Sequence, residues 1–469
     1  MQKKYKNINK IGIATIAGTM GVELVNFLLI PIMTRALGTS GYGTISIYTA
    51  WCSIIIAICG LQTTQSIVYI ITDKDESQHK DYYASMLACS SFAFFFTTML
   101  FAIVSIACDG ILGFPPALVF VMFLQSFGNY CVNYANTIFK QEQKPINQVV
   151  VSLLVAVSTA LLSIALVYHI KEHNMKYWGR IIGYAIPYFT IGFALASYYI
   201  VPRLRNIKLS YVREYLPLCI PVIIHSLASM VFSQSDRVML GYMSSTSDAG
   251  IYSFTHSIAS LLSVEWVTLN SIYQPFFFAY MKNNDFYLIE EKTKNLIELF
   301  TSSYVIFLMI IPELMAMYGG RDFESAKQFL PVLSLGVYFN FLYMFNSNFE
   351  IFHKETLVIA KATTVTAITN IILNIILIPN LTILGASIAT LFSCIILFGI
   401  HLVSALSIAK EKKVRYVFNQ NIFILGSIAA VATTLLYYIL QDRLIIRIII
   451  SAIIFVYALL SIFRRKSIL

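Results

Sequence analysis

About fourteen apolar stretches, each long enough to cross a bilayer as a helix, follow one another with only short polar connectors between them. A helix needs about 20 apolar residues to span the hydrocarbon core of a membrane. The stretches run 11–33, 44–70, 85–107, 115–139, 146–168, 179–201, 216–240, 250–280, 296–317, 328–350, 358–378, 385–407, 420–440 and 444–463. The longest connectors, 202–215 and 281–295, hold about 15 residues each and cannot fold independently. Hydrophobic residues make up 58% of the 469 and charged residues only 12%, which leaves no material for a soluble domain. The first stretch follows Lys3, Lys4, Lys6 and Lys10, as the core of a signal peptide would. Its length and the lack of a small-residue cleavage site make it a retained span instead.

Lys and Arg fix the expected orientation, because they accumulate on cytoplasmic loops. With the N-terminus inside, 24 of the 33 fall on inner segments, including Arg203, Arg205, Lys208 and Arg213 in one connector and Lys410, Lys412, Lys413 and Arg415 in another. Both termini are therefore expected in the cytoplasm, and the number of spans is even. The net charge of +10 reflects this bias and attraction to anionic membrane lipids, so no nucleic-acid partner is implied. Seven cysteines lie in or beside spans without a C-x-x-C pair, which reads as small buried apolar side chains.

The chain carries a weak internal repeat. RALGTSGYGTISIY at 35–48 is echoed about 200 residues later by DRVMLGYMSSTSDAGIYSF at 236–254. KQEQKPINQVVVSLL at 140–154 is echoed by HKETLVIAKATTVTA at 353–367. Gly179 and Gly183 start the sixth span as Gly385 and Ala389 start the twelfth; such small-residue faces let helices approach closely in lipid. The echoes define an N-lobe over 1–201, a C-lobe over 202–407 and two further helices with a tail over 408–469. Six spans per lobe is even, so the lobes are parallel repeats related by an axis along the membrane normal. The expected fold is all-α and membrane-integral: about 14 transmembrane helices, as two six-helix bundles around a central cavity plus two C-terminal helices.

At RALGTSGYG (35–43), DRVMLGY…AGIYS (236–253) and AKATTVTAITNIILNIILIPN…LGASIAT (360–390) the chain resembles the polysaccharide-biosynthesis flippases. These Wzx-like exporters of O-antigen and capsule repeat units share a superfamily with the multidrug and toxic compound extruders and the peptidoglycan-precursor flippases. The resemblance implies a MATE-like, V-shaped pair of bundles with helices 1, 2, 7 and 8 lining the cavity, in the bacterial inner membrane. It implies translocation of an undecaprenyl-diphosphate-linked oligosaccharide to the outer leaflet by alternating access, driven by an ion gradient or the membrane potential. H+ or Na+ would be the coupling ion, with no other cofactor or metal. Expected partners are the polyprenyl-diphosphate-linked glycan, membrane lipids and polysaccharide polymerase or chain-length machinery.

Ionisable groups inside spans are costly and are functional candidates by default. On the first span Thr15, Thr19, Glu23 and Asn26 share a stripe, and Pro31 stands where it would break or bend the helix. Glu23 is either a proton or cation site or a carboxyl hydrogen-bonded within the bundle. On the seventh span His225, Ser229 and Asp236 share a face, with Pro217 and Pro221 as a hinge candidate. Arg35 and Arg237 are pseudo-symmetric cations, and Arg binds a diphosphate in a bidentate way that Lys cannot reproduce. Both also stand where an interfacial Arg ordinarily snorkels. Asp236, with no counterpart beside Arg35, reads as structural. On the eighth span His256 and Glu265 point to opposite sides; Glu265 is the candidate for a second lumen carboxylate, with His225 as a further ion-coupling candidate. Gln62 and Asn270, with Gln65 and Gln274, suit a cavity that accepts sugars.

Asp73-Lys74-Asp75 imitates a glycosyltransferase D-x-D but has no nucleotide-binding context. Three readings remain: a lipid-linked oligosaccharide flippase, a drug or cation antiporter of the same superfamily, and a membrane polymerase or glycosyltransferase. The last two spans and the Arg pair count against the antiporter. The outer loop 169–178 is too short for the enzyme.

Overall fold

Lipid offers backbone groups no hydrogen-bond partner, so a chain of this hydropathy has to satisfy them in helices. The computed structural model describes the backbone of residues 2–465 and the side-chain environments of residues 18, 21–461 and 463. Thr15, Thr19, the four N-terminal lysines, Arg464, Arg465 and Lys466 lie outside the described side chains. Thirteen α-helices run through the described residues: α1 (Gln2–Cys59), α2 (Ser66–Asp73), α3 (Glu76–Ala107), α4 (Pro116–Gln141), α5 (Pro145–His169), α6 (Lys176–Ile200) and α7 (Leu209–Met243). They continue as α8 (Thr246–Asn283), α9 (Phe286–Gly319), α10 (Ala326–Phe352), α11 (Thr356–Glu411), α12 (Gln420–Leu440) and α13 (Leu444–Arg465). The described residues contain no strand, only a single bridge between Ile111 and Phe114.

Ten of these helices are long and apolar enough to cross a membrane. Two of the ten hold two spans each. Helix α1 leaves helical geometry at Gly38 (φ 63°, ψ −175°), a conformation open to glycine because it lacks a Cβ. Helix α11 does so at Thr382 (φ 48°, ψ −122°). A Cβ on Gly385 would stand 2.5 Å from the Leu377 carbonyl oxygen, although eight residues along a straight helix are about 12 Å apart. The chain therefore turns back at Thr382. Helices α4 and α8 have the length to cross but carry more polar side chains, among them Gln125 and Asn129, and Glu265 and Asn270. Fourteen passages result, as the hydropathy rhythm predicts.

One span departs from that expectation. The stretch 44–70 is not a single helix: α1 ends at Cys59, Leu61 and Gln62 both take φ 49°, and a 3-10 turn over Thr63–Gln65 leads into α2. A buried knot of hydroxyls holds the break. Thr63 Oγ1 lies 2.7 Å from Ser90 Oγ, Tyr130 donates to Ser90 at 3.0 Å and also meets Thr63, and Ser90 reaches the Gly60 carbonyl at 3.2 Å.

The chain divides into two compact units, Met1–Val238 and Met239–Leu469. In the first, glycines bring α6 into backbone contact with two neighbours. A Cβ on Gly183 would lie 2.5 Å from Ser163 Cα, and one on Gly179 would lie 2.9 Å from the Leu166 carbonyl carbon, which seats α6 on α5. Gly192 and Gly128 do the same between α6 and α4, a Cβ on Gly192 falling 2.2 Å from the Gly128 oxygen. The start of α7 is fastened to the same unit. Lys74 pairs with Glu214 at 2.6 Å, Tyr82 donates to Glu214 at 3.1 Å and stacks on Tyr211, and Asn206 donates to Asp81 at 3.0 Å. The hydrogen bond to Glu214 holds the Lys74 ammonium well above the usual lysine range. The middle residue of the D-x-D-like triplet is thus taken up in a helix fastening.

In the second unit α12 and α13 pack on α9. Arg447, 2% exposed, makes a bidentate pair with Glu313 at 2.6 and 2.9 Å and donates to the Met309 carbonyl at 2.7 Å. Towards the other end of α13, Tyr457 donates to Glu298. Tyr304 and Thr434 join α9 to α12 at 2.7 Å.

Two expectations follow from these contacts. Arg447→Met should lower stability by about 1 kcal/mol, since it removes the bond to the Met309 carbonyl and a pair whose carboxylate is 45% exposed. Thermal unfolding in detergent measures this, and Arg447→Met combined with Glu313→Met should unfold close to Arg447→Met alone, because the exposed carboxylate is not stranded. Gly183→Val should cost about 1–3 kcal/mol by overpacking the α5–α6 seam, whereas Gly399→Ala, with open space around its Cα, should leave the same unfolding curve unchanged.

Candidate functional site

In the first unit, Leu29, Met33, Ala36 and Leu37 of α1 are buried in a cluster with Val167 of α5. That stripe fixes the rest of α1. Glu23 lies about 120° round the helix from Leu29 at 100° per residue, and both Glu23 and Asn26 are exposed on the surface α5 does not cover. Arg35 is also exposed, near the Gly38 turn. Pro31, positioned by its sequence to break or bend the helix, sits inside regular α1; the backbone departs at Gly38 instead. Gln62 occupies the break that follows α1, half-buried and left-handed.

Helix α7 runs unbroken through Pro217 and Pro221, both exposed. His225 is half-buried, and its Nδ1 is enclosed without a hydrogen-bond partner among the described residues. Asp236 is 3% exposed. Arg237 beside it is half-buried and donates to Gln234 one turn earlier.

The second unit brings one of the candidates into a polar ladder. Asn348 of α10 donates to Asn270 at 2.8 Å and accepts from Gln274 at 2.9 Å, so two α8 amides from the sequence reading converge on one buried α10 amide. Glu265, half-buried on the same helix, has Ser303 of α9 as its hydrogen-bond partner. His256 lies against the Tyr252 ring.

Two features escaped the sequence reading. Arg180 of α6 donates to Ser163 at 2.7 Å and lies over the Tyr184 ring at 5.0 Å; at the edge of its span it resembles any interfacial cation. Glu350 and His401 form a buried pair, Nδ1 to Oε2, at 2.7 Å between α10 and α11. Glu350 passes for the polar end of span 328–350, next to His353 and Lys354. His401 lies just under two turns inside the end of 385–407, and an ionisable group within a span was the available signal.

What the arrangement offers chemically is polar and ionic binding along membrane-crossing helices. Comparison with known proteins points the same way. Residues 9–281 match the polysaccharide biosynthesis protein family. An Lsg locus protein of Haemophilus influenzae is 20% identical over 371 residues, 76% of this chain and 88% of that protein. Among solved structures, the lipid II flippase MurJ in an inward closed conformation superposes with a TM-score of 0.71 at 16% identity, over 97% of this chain and 99% of that one. An inward-facing multidrug resistance MATE transporter gives 0.66 at 14% identity, over 85% and 99%. The fold is the one these two solved transporters have, and with more than half its length matched, the chain belongs to the polysaccharide biosynthesis protein family.

Proposed function

We propose that this protein flips a polyprenyl-diphosphate-linked oligosaccharide repeat unit from the cytoplasmic to the outer leaflet of a bacterial inner membrane, for assembly of a surface polysaccharide such as O-antigen, capsule or exopolysaccharide. Both termini lie in the cytoplasm, and the N-lobe (1–201), C-lobe (202–407) and final helices (408–469) alternate access to the two leaflets. The observation that carries this reading is family membership joined to the extent of the fold match. The MurJ alignment leaves out 3% of the chain, too little for one spanning helix of about 20 residues. The MATE alignment leaves out 15%, enough for the α12–α13 hairpin.

The chemistry of the substrate fits the candidate residues. Arg35 and Arg237 supply guanidinium groups for a diphosphate, while Asn26, Gln62 and Asn270 supply amides for sugar hydroxyls. Glu23, Glu265 and His225 are candidates for H+ or Na+ coupling. Asp236, Pro31, Pro221, Gly179, Gly183 and Gly385 act through structure or bending. The protein itself makes and breaks no covalent bond; a polymerase and its chain-length machinery would take the flipped unit. A drug or cation antiporter is the second reading, favoured by the MATE superposition.

Deleting the gene in its native host should abolish surface polysaccharide and cause undecaprenyl-linked repeat units to accumulate on the inner leaflet, scored by glycan staining and lipid extraction. Unchanged glycan with raised drug sensitivity would instead identify an antiporter. In the complemented strain, Arg237→Ala and Arg35→Ala should each reduce export by about tenfold or more, the loss of one charge-assisted contact of about 1.5–3 kcal/mol. Glu23→Gln should impair export at unchanged membrane abundance, measured by immunoblot of isolated membranes.

A further inference from the structure

Glu350 and His401 are 0% and 1% exposed, enclosed between the end of α10 and the second segment of α11. Tyr343, two turns before Glu350, stacks on the imidazole with ring centroids 5.1 Å apart, and Trp266 of α8 meets Tyr343 from the side. One carboxylate oxygen faces the imidazole Nδ1 at 2.7 Å. The other, Oε1, is buried with no hydrogen-bond partner among the described residues.

One proton decides the charge of this pair. With it, the pair is neutral overall, written either as imidazolium and carboxylate or as imidazole and carboxylic acid. Without it, a full negative charge sits in a low-dielectric interior at a cost of several kcal/mol. Releasing that proton therefore requires water or a cation to reach Oε1. A pair serving packing alone would gain by satisfying both oxygens, since a partly satisfied buried network is worse than an apolar one.

We propose that Glu350 and His401 form a proton-binding site whose loading and release are coupled to the transport cycle, an inference that rests on the transport reading above. A proton taken from water is held between Nδ1 and Oε2. It returns to water when the α10–α11 contact opens enough to hydrate Oε1, and no other bond changes. The site differs from two coupling candidates of the sequence: Glu23 is exposed, and Glu265 is half-buried against Ser303.

The surrounding ionisable groups fit this assignment. Just past the end of α10, His353 lies three residues on from Glu350, where burial and the Lys412 charge hold its pKa below the usual imidazole range, so it is neutral at neutral pH. Lys412 itself is engaged by Glu355 at 2.7 Å and by the His353 carbonyl. Tyr416 donates to Asn346, one turn before Glu350. Of the other helices packed on α10, α8 carries Glu265 and His256, α9 carries the buried Lys292, and α12 carries Tyr437, which donates to the Lys327 carbonyl. Lys410 and Glu411 close α11 itself.

Purified full-length protein in detergent, titrated with an indicator dye between about pH 5 and about pH 9, counts protons bound per molecule. Glu350→Gln should bind about one proton fewer than wild type, and His401→Gln should move the midpoint of that uptake by more than about one pH unit. His353→Gln should change neither quantity above about pH 7. Identical curves for wild type, Glu350→Gln and His401→Gln would overturn the proposal. Because either single variant could unfold, Glu350→Met with His401→Leu removes both charges together, a change that buried pairs tolerate. This double variant should reach the membrane and unfold at a temperature near that of wild type, yet fail to export glycan; normal export would equally overturn the assignment. The proton count needs no glycan, so it stays readable if gene deletion refutes the flippase reading.

Discussion

Hydrocarbon cannot hydrogen-bond, and the rest of this molecule follows from that constraint. Backbone groups close on themselves in helices, and wherever the chain leaves helical geometry it must bring its own partners. At the break after α1, the hydroxyls of Thr63, Ser90 and Tyr130 gather round the Gly60 carbonyl. At Thr382 the turn is covered by the close return of Gly385 onto Leu377. Lipid also gives no hydrophobic drive for one helix to join another, so association depends on backbone proximity and polar contacts. The Gly128, Gly179, Gly183 and Gly192 contacts supply the first in one unit. Arg447 with Glu313, and Asn348 between Asn270 and Gln274, supply the second in the other.

The same constraint separates residues available for work from residues that hold the fold. A charge inside a span is tolerated when another group compensates it. Arg447 meets a carboxylate and a carbonyl and fastens α13 to α9, as Lys74 with Glu214 fastens α7 from a connector. Glu23 and Arg35 stand exposed on the surface of α1, where a charge can also meet water, a headgroup or a ligand. Glu350 and His401 belong to neither class, being enclosed and yet half satisfied.

The passages of the chain were legible because helix length and hydropathy are local properties. Gly179, Gly183 and Gly385 were legible as contact points for the same reason, a small residue at the start of a span. Positions of turning were less so: Pro31 and Pro221 carry the familiar signal for a break, but lie inside regular helices, while Gly38, Thr382 and Leu61–Gln62 take the unusual torsions. A proline fixes only its own φ and removes one donor, whereas reversal depends on what packs against the turn. Pairings were hidden for a related reason. Glu350 and His401 are 51 residues apart in sequence, and Arg447 and Glu313 are 134 apart; no periodicity links them. Asn270 and Gln274 share a face at i and i+4, but the Asn348 that joins them comes from another helix.

The docking of α13 also bears on how the chain is made. Arg447 is translated long after Glu313, and in the first turn of α13 it reaches its bidentate contact only once α9 stands in the membrane. The last hairpin therefore finds its polar anchor only when α9 is already in place with its carboxylate waiting. Helices α12 and α13 are latecomers whose docking depends on an earlier part of the same chain, so the order of synthesis is also an order of assembly.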